Sequence, residues 1–331
     1  MHAPDGFLSA GTAVTTGAIS AGTIGAALRQ TRRELGDEQV PLAGISAAFI
    51  FAAQMVNFPV AAGTTGHLLG GALAAILLGP SMGALVVTVV VAGQALAFAD
   101  GGLTALGYNV LNMAIVTSFG GYAAFRLLLR VLPGNATGVM VGTGLASGLS
   151  VVLASMAFSI EWLFGATAPV PFDTVFGSMV GVHLLIGIGE GTISAMAVGA
   201  VLASRPDLVY GVRDFPRTAL ADRPAVGRRG FVIGGALVSL VLAVVVSQFA
   251  APAPDGLQRV AVDQGFADQA RSHPLGGGLF AGYATAGVAN ETLSLAVAGA
   301  AGVAITMAVG TGLFMAVRGR RRAPAASRGT G

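Results

Sequence analysis

The residues able to do chemistry begin at the second position. His2 follows Met1 directly, so the α-amine of Met1, the amide nitrogen of His2 and the His2 imidazole can close two fused chelate rings on one metal ion. Three nitrogens then share a plane, with the amide giving up its proton as the metal binds. Square-planar nitrogen sites favour Ni(II) or Cu(II), and Co(II) fits a related site. Taken alone, Met-His is more simply a start residue followed by an arbitrary one. Met1 is expected to be retained, because the residue behind it is large. No signal peptide is expected, since such a segment opens on basic residues and the first cation here is Arg29.

A second histidine changes the balance. His67 closes the stretch Phe58-Pro59-Val60-Ala61-Ala62-Gly63-Thr64-Thr65-Gly66-His67, expected on the same side of a membrane as the N-terminus. An imidazole inside a membrane bundle is costly without a partner. His67 can give a fourth nitrogen, with Thr64 and Thr65 to orient it, as outer groups commonly do for ligating imidazoles. A packed histidine bonded to a threonine fits the residues equally well. Gln54, Asn57, Gln94, Asp100, Asn109 and Asn112 cluster near the outer ends of expected spans. Amides in membrane proteins usually bond across helices; Asn57, Gln94, Asp100 and Asn109 are also candidates to orient the metal ligands. His183 and Glu190 lie seven residues apart on one helical face. They are candidates for coupling to an ion, against a structural pairing that is at least as expected. Glu161 and Asp173 are expected in or near an external loop.

These groups must be positioned by membrane helices. Of the 331 residues, 54% are hydrophobic and 10% charged, against about 25% charged in soluble domains. Mean hydropathy is +0.78. The composition predicts an all-α polytopic membrane protein. Approximate spans fall at 7–28, 41–58, 61–79, 81–99, 103–125, 136–157, 174–203, 231–250 and 289–316. The third, with Gly63, Gly66, Gly70 and Gly71, looks broken or re-entrant. The chain has no cysteine, which excludes disulfides and thiolate metal sites. It has no lysine, which excludes a P-loop and Schiff-base chemistry.

Arginine sets the orientation. With an external N-terminus, a cytoplasmic C-terminus and nine spans, only Arg259 and Arg271 fall outside, and the remaining arginines face the cytoplasm. The pI near 9.9 is then a positive-inside signature rather than a nucleic-acid surface. The expected organisation is a seven-span metal-binding domain at 1–203, a cytoplasmic linker at 204–230, a two-span unit at 231–317 and a basic, disordered tail at 318–331. Along the first span, Ala18, Gly22 and Ala26 form one row of small residues, and Gly17, Ala21 and Gly25 another. Such rows pack closely on another helix, within the chain or on a partner.

The opening Met1-His2-Ala3-Pro4-Asp5-Gly6-Phe7-Leu8-Ser9 resembles the substrate-binding component of nickel/cobalt energy-coupling factor (ECF) transporters, the CbiM/NikM family. The resemblance continues through Gln54–Val60, Gly66–Gly71, Asp100–Gly107 and His183–Glu190. It implies a metal held by the N-terminal amine, His2 and His67. Residues 254–258 read Pro-Asp-Gly-Leu-Gln and resemble the PDGLE motif of the small nickel-type accessory component, with Gln258 where that family has glutamate. The implied partners are a membrane coupling protein and two cytoplasmic ATPases, with Ni(II) or Co(II) as transported substrate and no organic cofactor. The expected location is the cell membrane. A membrane metalloenzyme ranks far behind, because it needs an open coordination position and an acid/base residue, and a closed four-nitrogen plane provides neither readily. An ion-coupled secondary carrier using His183 and Glu190 is the other alternative.

Overall fold

Apolar runs fold as helices because a helix satisfies every backbone polar group within one segment, as lipid requires. The computed structural model describes residues 1–36, 39–61, 63–215 and 226–319. Its helices are α1 (Ala10–Glu34), α2 (Gln39–Gln54), α3 (Gly71–Leu78), α4 (Pro80–Gly93), α5 (Leu106–Asn109), α6 (Thr117–Leu128), α7 (Ala136–Gly165), α8 (Phe172–Ser204), α9 (Arg228–Val244), α10 (Gly256–Asp263) and α11 (Glu291–Gly319). Wider π-type turns prolong α4 over Gln94–Phe98 and join α5 to α6 over Val110–Val116. A minimal hairpin pairs β1 (Phe58–Pro59) with β2 (Thr65–Gly66), antiparallel, Phe58 opposite Gly66.

Six segments are long and apolar enough to cross a membrane: Pro80–Phe98, Leu106–Leu128, Ala136–Gly165, Phe172–Ser204, Arg228–Phe249 and Glu291–Arg318. The chain is therefore an all-α, multi-pass membrane protein. α2 is apolar but shorter, and α1 spends much of its length on Thr, Ser and Gly.

The expected span at 61–79 is not one helix. It opens with the hairpin, runs extended through His67, and only then forms the eight-residue α3. Four non-helical residues and two helical turns cover at most about 25 Å, close to a hydrocarbon thickness of about 30 Å. The segment does cross the bundle: Thr65 touches Pro254 at one end, while Gly79 lies against the Tyr210 ring at the other. Irregular backbone survives at membrane depth only where protein covers it, and residues 64–79 are all buried. Two side chains satisfy the backbone that no helix serves. Gln54 Nε2 donates to the Leu69 carbonyl at 3.0 Å. The Glu190 carboxylate accepts from the Leu69 N–H at 2.5 Å and the Gly70 N–H at 2.9 Å. Gly70 has φ +81°, a left-handed turn into α3 that a side chain would strain.

The two-span unit is no loose appendage, for α9 and α11 clasp α2. A Cβ on Gly44 would fall 2.0 Å from Thr311 Oγ1, and one on Gly302 2.0 Å from Phe51 Cζ. Small residues permit this approach, as is usual between membrane helices. The loop before α11 folds back over the N-terminal strap: Arg271 N–H donates to the Asp5 carbonyl at 2.8 Å. On α1, Gly17 packs against Gly107, while Ala18, Gly22 and Ala26 stay exposed. The middle of the linker, with Arg217 and Arg223, and the tail with Arg320, Arg321, Arg322 and Arg328 lie outside the described residues.

Replacing Glu190 tests the third crossing. Glu190→Ala strands two buried N–H groups at about 1–3 kcal/mol each. Unfolding of the detergent-purified protein should show a loss of about 2 kcal/mol or more, with Glu190→Gln intermediate. An alanine variant as stable as the native chain would refute the account.

Candidate metal centre

A chain end can serve as a ligand only if it is held still. Residues 1–9 form a strap tied on several sides. The Asp5 carboxylate accepts from the N–H groups of Leu103 (3.1 Å), Thr104 (2.7 Å) and Ala105 (3.1 Å), capping the start of α5. Asn109 grips the strap in both directions: its Oδ1 accepts from Ala3 N–H and its Nδ2 donates to Ala3 O, each at 2.9 Å. Gly102 N–H also donates to Ala3 O, at 3.0 Å. A Cβ on Gly102 would come within 2.2 Å of Asp5 N, so the strap lies on bare backbone there. Thr167 Oγ1 donates to Gly6 O at 2.7 Å.

The strap delivers its first nitrogen to a histidine. The Met1 amine lies 2.5 Å from His67 Nε2, and the His2 and His67 rings stack with centroids 5.2 Å apart and planes 23° from parallel. The tautomers follow from the other ring nitrogens. His67 Nδ1–H donates to the Leu68 carbonyl at 3.0 Å, leaving Nε2 as a bare lone pair toward the amine. His2 Nε2–H donates to Gln94 Oε1 at 2.9 Å, leaving Nδ1 bare. Gln94 is oriented in turn, because its Nε2 donates to the Tyr283 hydroxyl at 3.1 Å, and that hydroxyl donates to Asp100 Oδ2 at 2.6 Å. A ligating imidazole is commonly fixed this way, through its second nitrogen. Burial lowers the His2 imidazole to about pKa 4, although Asp100 opposes the shift, so His2 is neutral near pH 7.

A residue from the second unit completes the cluster. Asp255 Oδ2 accepts from the Met1 amine at 2.6 Å and lies 3.6 Å from His67 Nε2. Burial alone would raise the Asp255 carboxyl; the Met1 ammonium and His67 outweigh it and hold the group well below the usual range. Thr65 fixes this loop, donating through N–H to Pro254 O at 2.9 Å and through Oγ1 to Ala253 O at 2.9 Å.

The structure thus gathers Met1, His2, His67, Gln94, Asp100 and Asn109. Thr64 and Thr65 do not orient His67. The extended backbone turns Thr65 to the second unit's loop, and Thr64 serves the hairpin turn through its backbone. Asn57 stands off the cluster, and its carbonyl accepts from Ala251 N–H at 2.9 Å. Asn112 bonds Glu161 across helices at 2.8 Å, so Glu161 is buried in the bundle rather than solvated. Glu190 braces the backbone behind His67. His183 donates from Nδ1 to Met179 O at 2.7 Å. Asp5, Tyr283 and Asp255 were not foreseen. The one sequence signal for the two aspartates is a shared Pro-Asp-Gly, at 4–6 and 254–256. Among the described residues, no group of three His, Cys, Asp or Glu side chains is placed to hold a metal alone.

The chain is also similar to known proteins. Residues 2–208 match the family model of the cobalt uptake substrate-specific transmembrane region, and residues 229–319 match the PDGLE domain. The chain is 43% identical over 210 residues to a protein of Haloquadratum walsbyi described in terms of metal transport, covering 63% of this chain and 94% of that one. It is 36% identical over 224 residues to the fused nickel transport protein NikMN of Rhodobacter capsulatus, covering 63% and 64%. To the cobalt transport protein CbiM of Geobacter sulfurreducens it is 32% identical over 259 residues, covering 75% and 71%. A solved truncated transition metal transporter superposes with TM-score 0.54 at 31% identity, over 61% of this chain and 99% of that one. The chain is a metal-transport protein of the membrane and not an enzyme, and it belongs to the CbiM family, with a PDGLE domain fused behind it.

Proposed function

We propose that this chain is the substrate-binding subunit of an ECF-type importer and captures Ni(II) or Co(II) at its N-terminus. The donors are the Met1 amine, the His2 amide, His2 Nδ1 and His67 Nε2. The observation that carries the reading is the 2.5 Å approach of the Met1 amine to His67 Nε2. Metal–nitrogen bonds of about 2.0–2.1 Å set neighbouring corners of a square plane about 2.9 Å apart, so the two nitrogens already stand near adjacent corners. Both imidazoles present the nitrogen that ligation requires. The PDGLE-type loop tilts the reading toward nickel. Two cytoplasmic ATPases and a membrane coupling protein drive release, with the exposed row Ala18, Gly22 and Ala26 available to the coupling protein. The site faces outward and the C-terminus inward.

Three outcomes test this reading. Acetylating the N-terminus, or inserting Ala between Met1 and His2, should abolish stoichiometric Ni(II) binding by the purified protein while every side chain remains. His2→Ala and His67→Ala should do the same, and a C-terminal tag should not. Equal Ni(II) occupancy in native and blocked forms would sink the chelate. Loading displaces protons from the amine and the amide, so affinity should fall as pH is lowered. An isotherm that tightens on acidification contradicts the ligand set. Reporter fusions in 29–36 and 204–215 should read cytoplasmic, and one in 265–280 external. The reverse pattern overturns the orientation.

A further inference from the structure

His183 has no role in the plane just described, yet it is placed beside it. The ring is 1% exposed. Its Nδ1–H is committed to Met179 O at 2.7 Å, so Nε2 carries the lone pair. That Nε2 is fully buried and has no hydrogen-bond partner among the described residues. A buried imidazole acceptor left unsatisfied keeps its full desolvation cost, and such a group calls for a reason. Its surroundings give one. His183 lines a cavity of about 10 Å³ together with Met1, His67 and Asp255, room for about one water-sized occupant. Two of the four plane donors therefore border the same small space as an unused imidazole nitrogen. Gly256 keeps that space narrow and open to the ring, because a Cβ there would lie 3.0 Å from His183 Cε1 and 2.6 Å from Ile186 Cδ1.

A square-planar Ni(II) ion with an amide in its plane exchanges ligands slowly, and by association: an entering donor binds on an open face before a plane donor leaves. A transport protein must both load and unload such an ion. We propose that His183 is the entering ligand for the transported cation, binding it through Nε2 from the cavity and lowering the barrier to loading and release. The inference rests on the four-nitrogen reading above. In release, a dative bond forms from His183 Nε2 to the cation as the bond from the Met1 amine breaks. The freed amine lone pair takes a proton from the solvent buffer, whose conjugate base stays in solution, the His2 amide nitrogen takes a second from the same source as its own bond to the cation breaks, and the ammonium rests on Asp255 Oδ2, where the 2.6 Å ion pair stands in the structure. Loading runs the same steps in reverse. Because the barrier falls equally in both directions, His183 changes rates, while the plane nitrogens set the occupancy.

The test uses the full chain in detergent and in lipid nanodiscs, with Ni(II) as probe. Loading is followed after mixing with Ni(II), and release by isotope exchange or a chelator chase. His183→Ala should slow both by at least tenfold at an occupancy still near one ion. Free imidazole, small enough for the vacated space, should restore the rate in His183→Ala and do so far less in His183→Phe, where the ring fills it. His183→Asn, polar and of smaller volume, gives the same comparison if alanine compromises folding. Native rates in these variants, or slow rates that imidazole leaves unchanged, would overturn the proposal, since a packing role predicts no chemical rescue. The acetylated N-terminus separates the two readings: Ni(II) retained there removes the four-nitrogen plane, whatever His183 does.

Discussion

The contact between the Met1 amine and His67 Nε2 joins residues sixty-six positions apart, and one of its partners is the end of the chain. Chain ends are normally the least ordered part of a domain, and fixing each backbone residue costs about 1–2 kcal/mol in conformational entropy. Everything along residues 1–9 answers that cost. Asp5 converts the start of α5 into an anchor, Asn109 holds Ala3 from both sides, and Phe7 is buried edge-on against Phe266 at 5.2 Å. Phe266 itself packs on Trp162 at 4.5 Å. The second unit's loop is thus an outer wall of the strap, which is why Arg271 bonds Asp5 and Asp255 meets the amine.

The same contact dictates the shape of the third crossing. Backbone that reaches out to the amine cannot also stay in a continuous helix. Residues 67–70 are not helical, and their polar groups are met by Gln54, Glu190 and the His67 ring itself. A carboxylate in a membrane helix invites a reading as an ion-coupling group. Here both oxygens of Glu190 are committed to backbone N–H groups. That bonding speaks against the secondary carrier and makes Glu190 a positioning residue for His67.

The grouping of Met1 and His2 is legible in the sequence because the proposed chelate is a local object: an amine, an amide and an imidazole within two residues. The helices were legible for a similar reason, since apolar length is a property of one segment. Thr64 and Thr65 neighbour His67 along the chain without orienting it, because side chains alternate sides in extended backbone and Thr65 bonds the second unit's loop instead. Asp255 was missed for the opposite reason. The second unit contributes one carboxylate, brought to the amine by long-range packing. Nothing local to residue 255 announces residue 1. Glu161 is expected near an external loop because it lies past the expected span end at 157, whereas α7 runs on to Gly165 and keeps it inside.

The glutamine at 258 can be weighed against this geometry. Within Pro254-Asp255-Gly256-Leu257-Gln258, the Gln258 side chain is exposed, and it is its backbone N–H that donates to Asp255 Oδ1 at 2.8 Å. That bond caps α10 and leaves Oδ2 free to face the amine. Gly256 allows the turn to press against α8, and Leu257 is buried beneath it. The motif's placement of Asp255 therefore depends on the proline, aspartate and glycine and on the buried leucine, while position 258 enters only through a main-chain group that glutamate and glutamine share. Fusing the two units keeps this loop at high effective concentration over the strap, and the clasp on α2, the Thr65 bonds to Ala253 and Pro254 and the Phe266 contacts hold Asp255 against the N-terminus.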